Sequence, residues 1–203
     1  RKIDMKYYCI KQHDITDCGA ACLATICRQN GYKIGISKIR EVAGTDKQGT
    51  NAYGVIKAAE QLGFSAKGVK GDKEAFFSEF PLPCIAHVIV DGALLHYVVI
   101  HKITKKTVVI ADPGEGIVKL TPEEFFGEVH DEGKLPKYQW SGILILLVKN
   151  ETFEKKDETK GIFSRFFSSA HATEETYISD FFSISYISVS YTHLRAHETV
   201  LDL

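Results

Sequence analysis

The sequence has no long hydrophobic run. Its longest purely apolar stretch covers only residues 143–148, whereas a membrane-spanning helix needs roughly 18 or more consecutive apolar residues. The N-terminal residues begin with basic side chains and continue into a mixed polar stretch, without the apolar core of a signal peptide. The sequence therefore predicts neither a transmembrane helix nor export.

The sequence also lacks an excess of charge, since 25 Lys and Arg residues are balanced by 26 Asp and Glu residues. Without a net electrostatic field, nucleic acid is not expected as a partner. No Gly-x4-Gly-Lys-Ser/Thr motif occurs, so ATP binding by this chain is not expected. We expect no cofactor and no metal in the domain.

Cysteine is sparse, with five residues at Cys9, Cys18, Cys22, Cys27 and Cys84. The number is odd, and the dense spacing of a secreted disulfide scaffold is absent, which indicates reduced thiols in the cytosol. The Cys-x3-Cys spacing of Cys18 and Cys22 matches neither a redox pair nor a common zinc site. All except Cys18 are interpreted as small buried hydrophobic residues.

The order of predicted elements indicates the fold class. Apolar residues at helical spacing, with Thr16 or Asp17 available as a first N-cap, predict helices at about 18–30, 37–42 and 51–62. Runs of β-branched residues predict strands at 84–90, 94–103, 107–111, 117–120 and 143–148, with turns at Asp91-Gly92 and Lys105-Lys106. Thr121-Pro122 begins one short helix between strands. These elements predict an α+β fold in which N-terminal helices pack on a C-terminal antiparallel sheet.

A change of composition divides the chain into three parts. Residues 1–149 are expected to form one domain, because 203 residues can bury a single good core but not two. Residues 150–167 are interpreted as a charged, solvated linker that begins the segment leading to a membrane domain, since 8 of the 12 positions in 149–160 are charged. Residues 168–203 show no cap or core pattern, and we interpret them as a disordered tail or a sequence artefact.

One cysteine stands in a reactive position. A cysteine is a nucleophile as its thiolate, which the N-terminus of a helix and a nearby imidazolium both stabilise. Cys18 lies at the predicted start of the first helix, where Gly19 and Ala20 are expected to leave space above the sulfur. Gln12, six residues earlier, is close enough for its amide to form an oxyanion hole with the Cys18 backbone N–H.

The predicted hairpin around Lys105 indicates which histidine acts as the base for this cysteine. It is expected to bring Asp112 opposite His96, so that a carboxylate orients an imidazole. His87 is the competing histidine, but no acidic partner is evident for it, and we interpret it as an exposed or hydrogen-bonded strand residue. His101 is interpreted as a surface or loop residue.

These positions together resemble a known family. Gln12, the run Asp-Cys-Gly-Ala-Ala-Cys at 17–22, His-Tyr-Val-Val at 96–99 and Ala-Asp-Pro-Gly at 111–114 are similar to the bacteriocin-processing peptidase domain. That domain is the double-glycine leader peptidase of peptidase-containing ABC transporters. The resemblance covers about residues 5–150 and includes Gly49-Thr50-Asn51 with Gly54.

The resemblance implies a papain-like cysteine peptidase on the cytosolic side of a bacterial membrane transporter. It implies that Cys18 is the nucleophile, His96 the general base and acid, Asp112 the orienting residue and Gln12 the oxyanion donor. The implied substrate is a bacteriocin or similar peptide precursor, cut after a Gly-Gly-type leader. The implied partners are transmembrane and ATP-binding domains, and ATP would bind only to the latter.

Two other functions fit the same residues. The first is a module that binds a leader peptide for a transporter without cutting it, although such relatives lose the nucleophile that Cys18 provides. The second is another Cys-His-Asp enzyme, such as an acyltransferase or transglutaminase, which uses the same chemistry. The glutamine six residues before the cysteine favours a peptidase.

Overall fold

The computed structural model describes residues 6–45, 49–129 and 133–159, together with the backbone of 187–188. The predicted tail at 168–203 lies outside the described residues apart from that short piece, and so does the linker beyond residue 159. Within the described residues, no helix is both long and apolar enough to cross a bilayer.

Within the described residues up to Gln61, three α-helices follow a short 3-10 turn, and all three were predicted. The 3-10 turn is Ile15–Asp17, and it leads directly into α1 (Cys18–Gln29), which is followed by α2 (Ile36–Ala43) and α3 (Ala52–Gln61). Asn51 caps α3 by accepting a 2.8 Å hydrogen bond from the Gly54 backbone N–H. A Cβ atom at Gly54 would lie 2.3 Å from the Ala43 carbonyl oxygen, so glycine permits the close contact between α2 and α3.

In the part of the chain that the structure describes, seven strands form one sheet in the order β5-β4-β3-β2-β6-β1-β7. Their bounds are β1 Phe64–Lys70, β2 Cys84–Val90, β3 Leu94–Ile103, β4 Val108–Asp112, β5 Gly116–Leu120, β6 Tyr138–Lys149 and β7 Ile187–Ser188. Every pairing between them is antiparallel. The α+β prediction is therefore confirmed, including the hairpin between β2 and β3, where Asp91 and Gly92 both have positive φ.

The sequence prediction missed two elements in the first 80 residues. Strand β1 pairs along its whole length with β6, and the helix α4 (Lys73–Phe76) follows it. The β1 segment Phe-Ser-Ala-Lys-Gly-Val-Lys contains few β-branched residues, so its pairing with β6 depends on tertiary context rather than on local propensity. The short helix α5 (Pro122–Phe126) begins where it was predicted, with a capping box between Thr121 and Glu124.

The sheet carries a hydrophobic cluster on each face. Helices α1, α2 and α3 pack on one face against residues that include Tyr97, Val99 and Ala111. The short helices α4 and α5 contribute Phe76 and Phe125 to the second cluster, on the other face. His96 lies near the start of β3 and Asp112 is the last residue of β4, so the two residues lie at the same end of this antiparallel pair.

The segment after β6 differs from the solvated linker predicted for 150–167. Its Phe153 ring packs against Phe64 at 4.8 Å between centroids, and Asp157 pairs with Lys33. The high charge of this segment misled the prediction, because its charged side chains form ion pairs with the helical layer while one aromatic ring is partly buried. Residues 150–159 therefore pack against the helical layer.

Candidate active site

Cys18 is the first residue of α1 and is fully buried. The 3-10 turn before it is capped by Asp14, whose carboxylate accepts a 2.7 Å hydrogen bond from the Thr16 backbone N–H. The N-cap residue of α1 is Asp17, one of the two predicted candidates, but its side chain makes no capping bond to the helix. The nucleophile predicted from the sequence therefore lies at the positive end of the helix dipole.

His96 and Asp112 are in direct contact, with 3.0 Å between His96 Nε2 and Asp112 Oδ1. The β3–β4 hairpin produces this contact, because Val99 pairs with Ala111 and the residues beyond them meet at the open end of the hairpin. His96 and Asp112 are each only 3% exposed. The predicted pairing of an imidazole with a carboxylate is therefore present in the structure.

Two partners act on His96 from opposite sides. Burial lowers the pKa of His96, but interactions with Asp112 and with the Cys18 thiol raise it to about 9. Because Nε2 contacts Asp112, Nδ1 is the ring nitrogen left for Cys18, and Nδ1 is buried without a hydrogen-bond partner among the described residues. The site therefore favours an imidazolium between a cysteine and a carboxylate.

Asp112 accepts hydrogen bonds on both carboxylate oxygens. Besides His96, its Oδ1 contacts the Gly114 backbone N–H at 2.7 Å, and its Oδ2 accepts a 2.7 Å bond from the Tyr138 hydroxyl. Burial raises the pKa of Asp112, but the His96 and Tyr138 hydrogen bonds, the His96 charge and the Gly114 N–H lower it to about 2. Asp112 is therefore held as an anion at neutral pH.

Gln12 lies on an N-terminal segment that runs between α1 and the end of β4. Its backbone N–H donates to the Pro113 carbonyl at 3.0 Å. On either side of it, Ile10 N–H donates to Thr25 Oγ1 at 2.9 Å and Lys11 Nζ donates to the Gly114 carbonyl at 3.0 Å. Gln12 Oε1 is buried without a hydrogen-bond partner among the described residues. The segment thus holds Gln12 beside the loop that follows Asp112.

An ion pair fixes the stretch between Gln12 and Cys18. Asp17 is completely buried, and its carboxylate forms an ion pair with Arg40 of α2. The same carboxylate accepts hydrogen bonds from the backbone N–H groups of His13, at 3.3 Å, and Asp14, at 3.4 Å. A buried charge that is paired and hydrogen-bonded in this way holds the backbone around it in one conformation.

Gly19 has a different role from the one predicted. A Cβ atom there would lie 3.1 Å from Val55 Cγ2 and 3.2 Å from Thr50 Cβ, both of which belong to the α3 side of the helical layer. Ala20 is fully buried in the core. These small residues therefore allow α1 to pack closely against its neighbours, and the prediction that they keep space open above the sulfur is wrong.

The remaining cysteines are free thiols in packed surroundings. Burial raises the pKa of the Cys9, Cys22, Cys27 and Cys84 thiols, to about 12 for Cys27. Among the residues that the structure describes, no three His, Cys, Asp or Glu side chains are placed to hold a metal ion. The four cysteines fit the prediction of small packed residues, although Cys9 is only half-buried.

The two competing histidines have structural partners. His87 Nδ1 lies 2.8 Å from Ser141 Oγ, and burial, with a smaller effect of His96, lowers the pKa of His87 to about 4. His101 is buried rather than on the surface, since its Nε2 lies 2.8 Å from the Tyr8 carbonyl and its ring stacks on Tyr7 at 5.0 Å. The surface interpretation of His101 is therefore wrong.

Sequence reasoning missed Arg40 and Tyr138, which contact the site from distant parts of the chain. Arg40 lies 23 residues from Asp17, and Tyr138 lies 26 residues from Asp112. Neither residue belongs to a motif, and charged or aromatic residues of this kind are common in helices and strands. A pairing of β2 with β6 would have been needed to place Tyr138 near the site.

The chain is similar to known proteins over most of its described length. A sequence model described as the Peptidase C39 family matches residues 6–152. The chain is 37% identical over 159 residues to the lactococcin-G-processing and transport ATP-binding protein LagD of Lactococcus lactis subsp. lactis, covering 78% of this chain and 21% of LagD. It is 35% identical over 152 residues to the transport/processing ATP-binding protein ComA of Streptococcus pneumoniae, covering 73% of this chain and 20% of ComA. The chain thus spans about a fifth of the length of these curated relatives.

Solved structures of similar domains have the same fold. The peptidase domain of Streptococcus ComA, a bifunctional ABC transporter, superposes with a TM-score of 0.61 at 30% identity, covering 71% of this chain and 100% of that domain. A double glycine motif protease from an AMS/PCAT transporter, solved in complex with the leader peptide, gives a TM-score of 0.60 at 29% identity, covering 72% of this chain and 94% of that one. With the family match over most of the described residues, the chain belongs to the Peptidase C39 family of cysteine peptidases.

Proposed function

We propose that this domain removes the leader of a bacteriocin or similar peptide precursor by cutting after a Gly-Gly-type motif. One observation carries the proposal: the buried His96–Asp112 pair interacts, through its imidazole, with Cys18 at the start of α1. In this proposal Cys18 is the nucleophile, His96 the general base and acid, Asp112 the orienting residue and Gln12 an oxyanion donor.

The reaction begins from a thiolate on Cys18 and an imidazolium on His96. The thiolate attacks the carbonyl carbon of the second glycine, and the carbonyl oxygen becomes an oxyanion. His96 then donates its proton to the leaving amine as the C–N bond breaks, which leaves an acyl group on Cys18. Next, His96 removes a proton from water, the hydroxide attacks the acyl carbon, and the thiolate leaves again as the Cys18–carbon bond breaks.

Hydrogen bonds from the Cys18 backbone N–H and the Gln12 amide would stabilise the oxyanion. Donors of this kind are each worth roughly 3 kcal/mol when they are held in place before the reaction. Two features support that fixed geometry: the bond from Gln12 N–H to Pro113, and the Asp17–Arg40 ion pair. Both restrain the stretch that joins Gln12 to Cys18.

Burial of the nucleophile supports selection of glycine. Cys18 has no exposed surface in the described structure, and we infer that only a narrow approach leads a peptide to the sulfur. A side chain with a Cβ atom beside the scissile bond would then be rejected sterically. The remainder of the leader would bind elsewhere on the domain as an amphipathic helix in an apolar groove.

The partners are inferred from the relatives. Proteins such as LagD and ComA are named as processing and transport ATP-binding proteins, and one similar protease is described in complex with its leader peptide. We therefore propose that this domain is the N-terminal part of an ABC exporter, on the cytoplasmic face of a bacterial membrane. Its partners would be the transmembrane and ATP-binding domains, and ATP would bind to the latter.

A cleavage assay tests the peptidase function. The chain is incubated with several synthetic precursors that carry Gly-Gly leaders, and the products are identified by mass spectrometry. We expect one cut after the second glycine and, for the Cys18→Ala variant, a rate at least 10³-fold lower because the nucleophile is absent. A Cys22→Ala variant is the matched control on the same helix and should still cut.

The alternatives give different results in that assay. Binding of the leaders without cleavage by the wild-type chain would indicate a docking module. Transfer of the acyl group to an added amine in preference to water would indicate an acyltransferase or transglutaminase. The presence of Cys18 together with the His96–Asp112 pair favours hydrolysis, because a docking module has no need of this arrangement.

A further inference from the structure

Tyr138 is a buried residue that contacts the proposed site but has no part in the mechanism above. It is the first residue of β6, is 1% exposed, and donates its hydroxyl proton to Asp112 Oδ2 at 2.7 Å. The other carboxylate oxygen, Oδ1, contacts His96 and the Gly114 N–H. Each oxygen of Asp112 therefore has its own partners.

These contacts restrain the carboxylate. A carboxylate held by donors on one oxygen alone is freer to rotate about its Cβ–Cγ bond, which would lengthen its contact with His96. We propose that Tyr138 is a positioning residue that locks Asp112 in the orientation required to hold His96. This inference rests on the proposed peptidase function and adds a fourth side chain to the Cys18, His96 and Asp112 constellation.

Tyr138 is itself fixed by the sheet. Its backbone pairs with Val90 of β2, and its ring belongs to the hydrophobic cluster on the α4 and α5 face. The preceding residue, Lys137, forms an ion pair with Glu115 at 2.6 Å, and Glu115 lies in the loop after Asp112. The hydroxyl therefore approaches Asp112 from a rigid strand that is also tied to the Asp112 loop.

The hydroxyl remains a donor over the working pH range. Burial and the hydrogen bond to Asp112 raise the pKa of Tyr138 above its ordinary value. The phenol thus keeps its proton at neutral pH, where Asp112 is ionised. A neutral donor that faces a buried anion forms a stronger hydrogen bond than two neutral groups would.

The test is a Tyr138→Phe variant of the full chain, which keeps the ring and removes only the hydroxyl. We expect kcat/KM for a Gly-Gly leader precursor to fall about tenfold with little change in KM, since Asp112 then orients His96 less well. The acidic limb of the pH profile of kcat/KM should move to higher pH, because the Asp112 carboxylate loses a donor that stabilises its charged form. The rate of Cys18 alkylation by iodoacetamide can be followed against pH by mass spectrometry. The pH profile of this rate should also move to higher pH.

Tyr32→Phe is the matched control. Tyr32 is also buried and donates its hydroxyl proton to a carboxylate, Glu158 Oε1, at 2.8 Å, but it follows the far end of α1. A general effect of losing a buried tyrosine hydroxyl would appear in both variants. A shifted pH profile in the Tyr138 variant alone would support the positioning role.

A double variant separates positioning from simple stability. If Tyr138 acts through Asp112, then Asp112→Asn with Tyr138→Phe should be no slower than Asp112→Asn alone. The inference would be overturned if the losses in kcat/KM of the two single variants multiplied in the double variant. It would also be overturned if the pH profile of Tyr138→Phe were identical to that of the wild type. The alkylation profile requires no peptide substrate, so it tests Tyr138 even if the chain cuts no Gly-Gly leader, and the two failures remain distinguishable.

Discussion

His96 is subject to opposing electrostatic effects at the scale of a single residue. Burial lowers its pKa, whereas Asp112 and Cys18 raise it to about 9. We therefore expect kcat/KM for leader cleavage to stay high up to about pH 9 and to fall above it, since a neutral imidazole has no proton for the leaving amine. In Asp112→Asn the carboxylate that raises the His96 pKa is gone, so this alkaline limb should move to lower pH by about one unit.

The control for this shift is His87→Gln. His87 lies one strand away, and its pKa is lowered to about 4, so it is neutral throughout the alkaline range. The alkaline limb of this variant should coincide with that of the wild type. An Asp112→Asn profile whose alkaline limb did not move would contradict the view that Asp112 determines the charge of His96.

Residues of the site differ in how readily a sequence indicates them. Cys18, His96 and Asp112 could be predicted, because a helix start and one hairpin place them by local rules. Tyr138 and Arg40 reach the site only through β6 and α2, whose positions follow from the packing of the whole chain. The role predicted for Gly19 was also wrong, because the residues that it approaches closely, Thr50 and Val55, are remote in sequence.

At the scale of an element, the start of α1 depends on a charge in α2. The buried Asp17 carboxylate has its ion-pair partner in Arg40, whose side chain is one-third exposed. Arg40→Met removes that partner and leaves an uncompensated charge, so we expect the free energy of unfolding to fall by about 2 kcal/mol. The partial exposure of Arg40 reduces the effect from the larger values typical of fully buried pairs. Urea denaturation measures the change.

Lys38→Met is the control on the same helix. Lys38 pairs with Glu158, but its side chain is 56% exposed, so its loss should change the free energy of unfolding by less than about 0.5 kcal/mol. If the two variants lowered the free energy of unfolding equally, burial of Asp17 would not contribute to the effect of losing Arg40. The Arg40 variant should also cleave more slowly, because the stretch from Gln12 to Cys18 loses its restraint.

Elements bounded by local signals agree closely with their predictions, whereas those that depend on distant partners do not. Strands β2 and β3 have the predicted bounds, because turn residues with positive φ separate two β-branched runs. Strand β6 begins at Tyr138, five residues before its predicted start, because its first half pairs with Val88, Ile89 and Val90. Its glycine and polar residues gave no local strand signal.

At the scale of the whole molecule, the domain extends past the last long strand. Asn150 N–H donates to the Gly63 carbonyl at 3.0 Å, and Glu158 N–H donates to the Lys33 carbonyl at 2.9 Å. A Cβ atom at Gly63 would lie 2.5 Å from Phe153 Cα, so the two backbones approach closely there. The family match ends at residue 152, before the residues that pair with Lys33.

Phe153 provides a test of whether this segment contributes to stability. Its ring lies between Phe64, at 4.8 Å, and Tyr32, at 6.3 Å between centroids. Because the ring is only partly buried, Phe153→Ala should lower the free energy of unfolding by about 2 kcal/mol, roughly half the cost of a fully buried phenylalanine. Tyr53→Ala is the control, since Tyr53 is 50% exposed on α3, and it should stay within about 0.5 kcal/mol of the wild type.

If both variants unfold at the same urea concentration as the wild type, residues 150–159 add nothing to the core and the boundary belongs at residue 149. A selective loss in the Phe153 variant would instead mean that a chain cut at residue 149 forms a weaker peptidase domain, because it leaves Phe64 and Tyr32 uncovered.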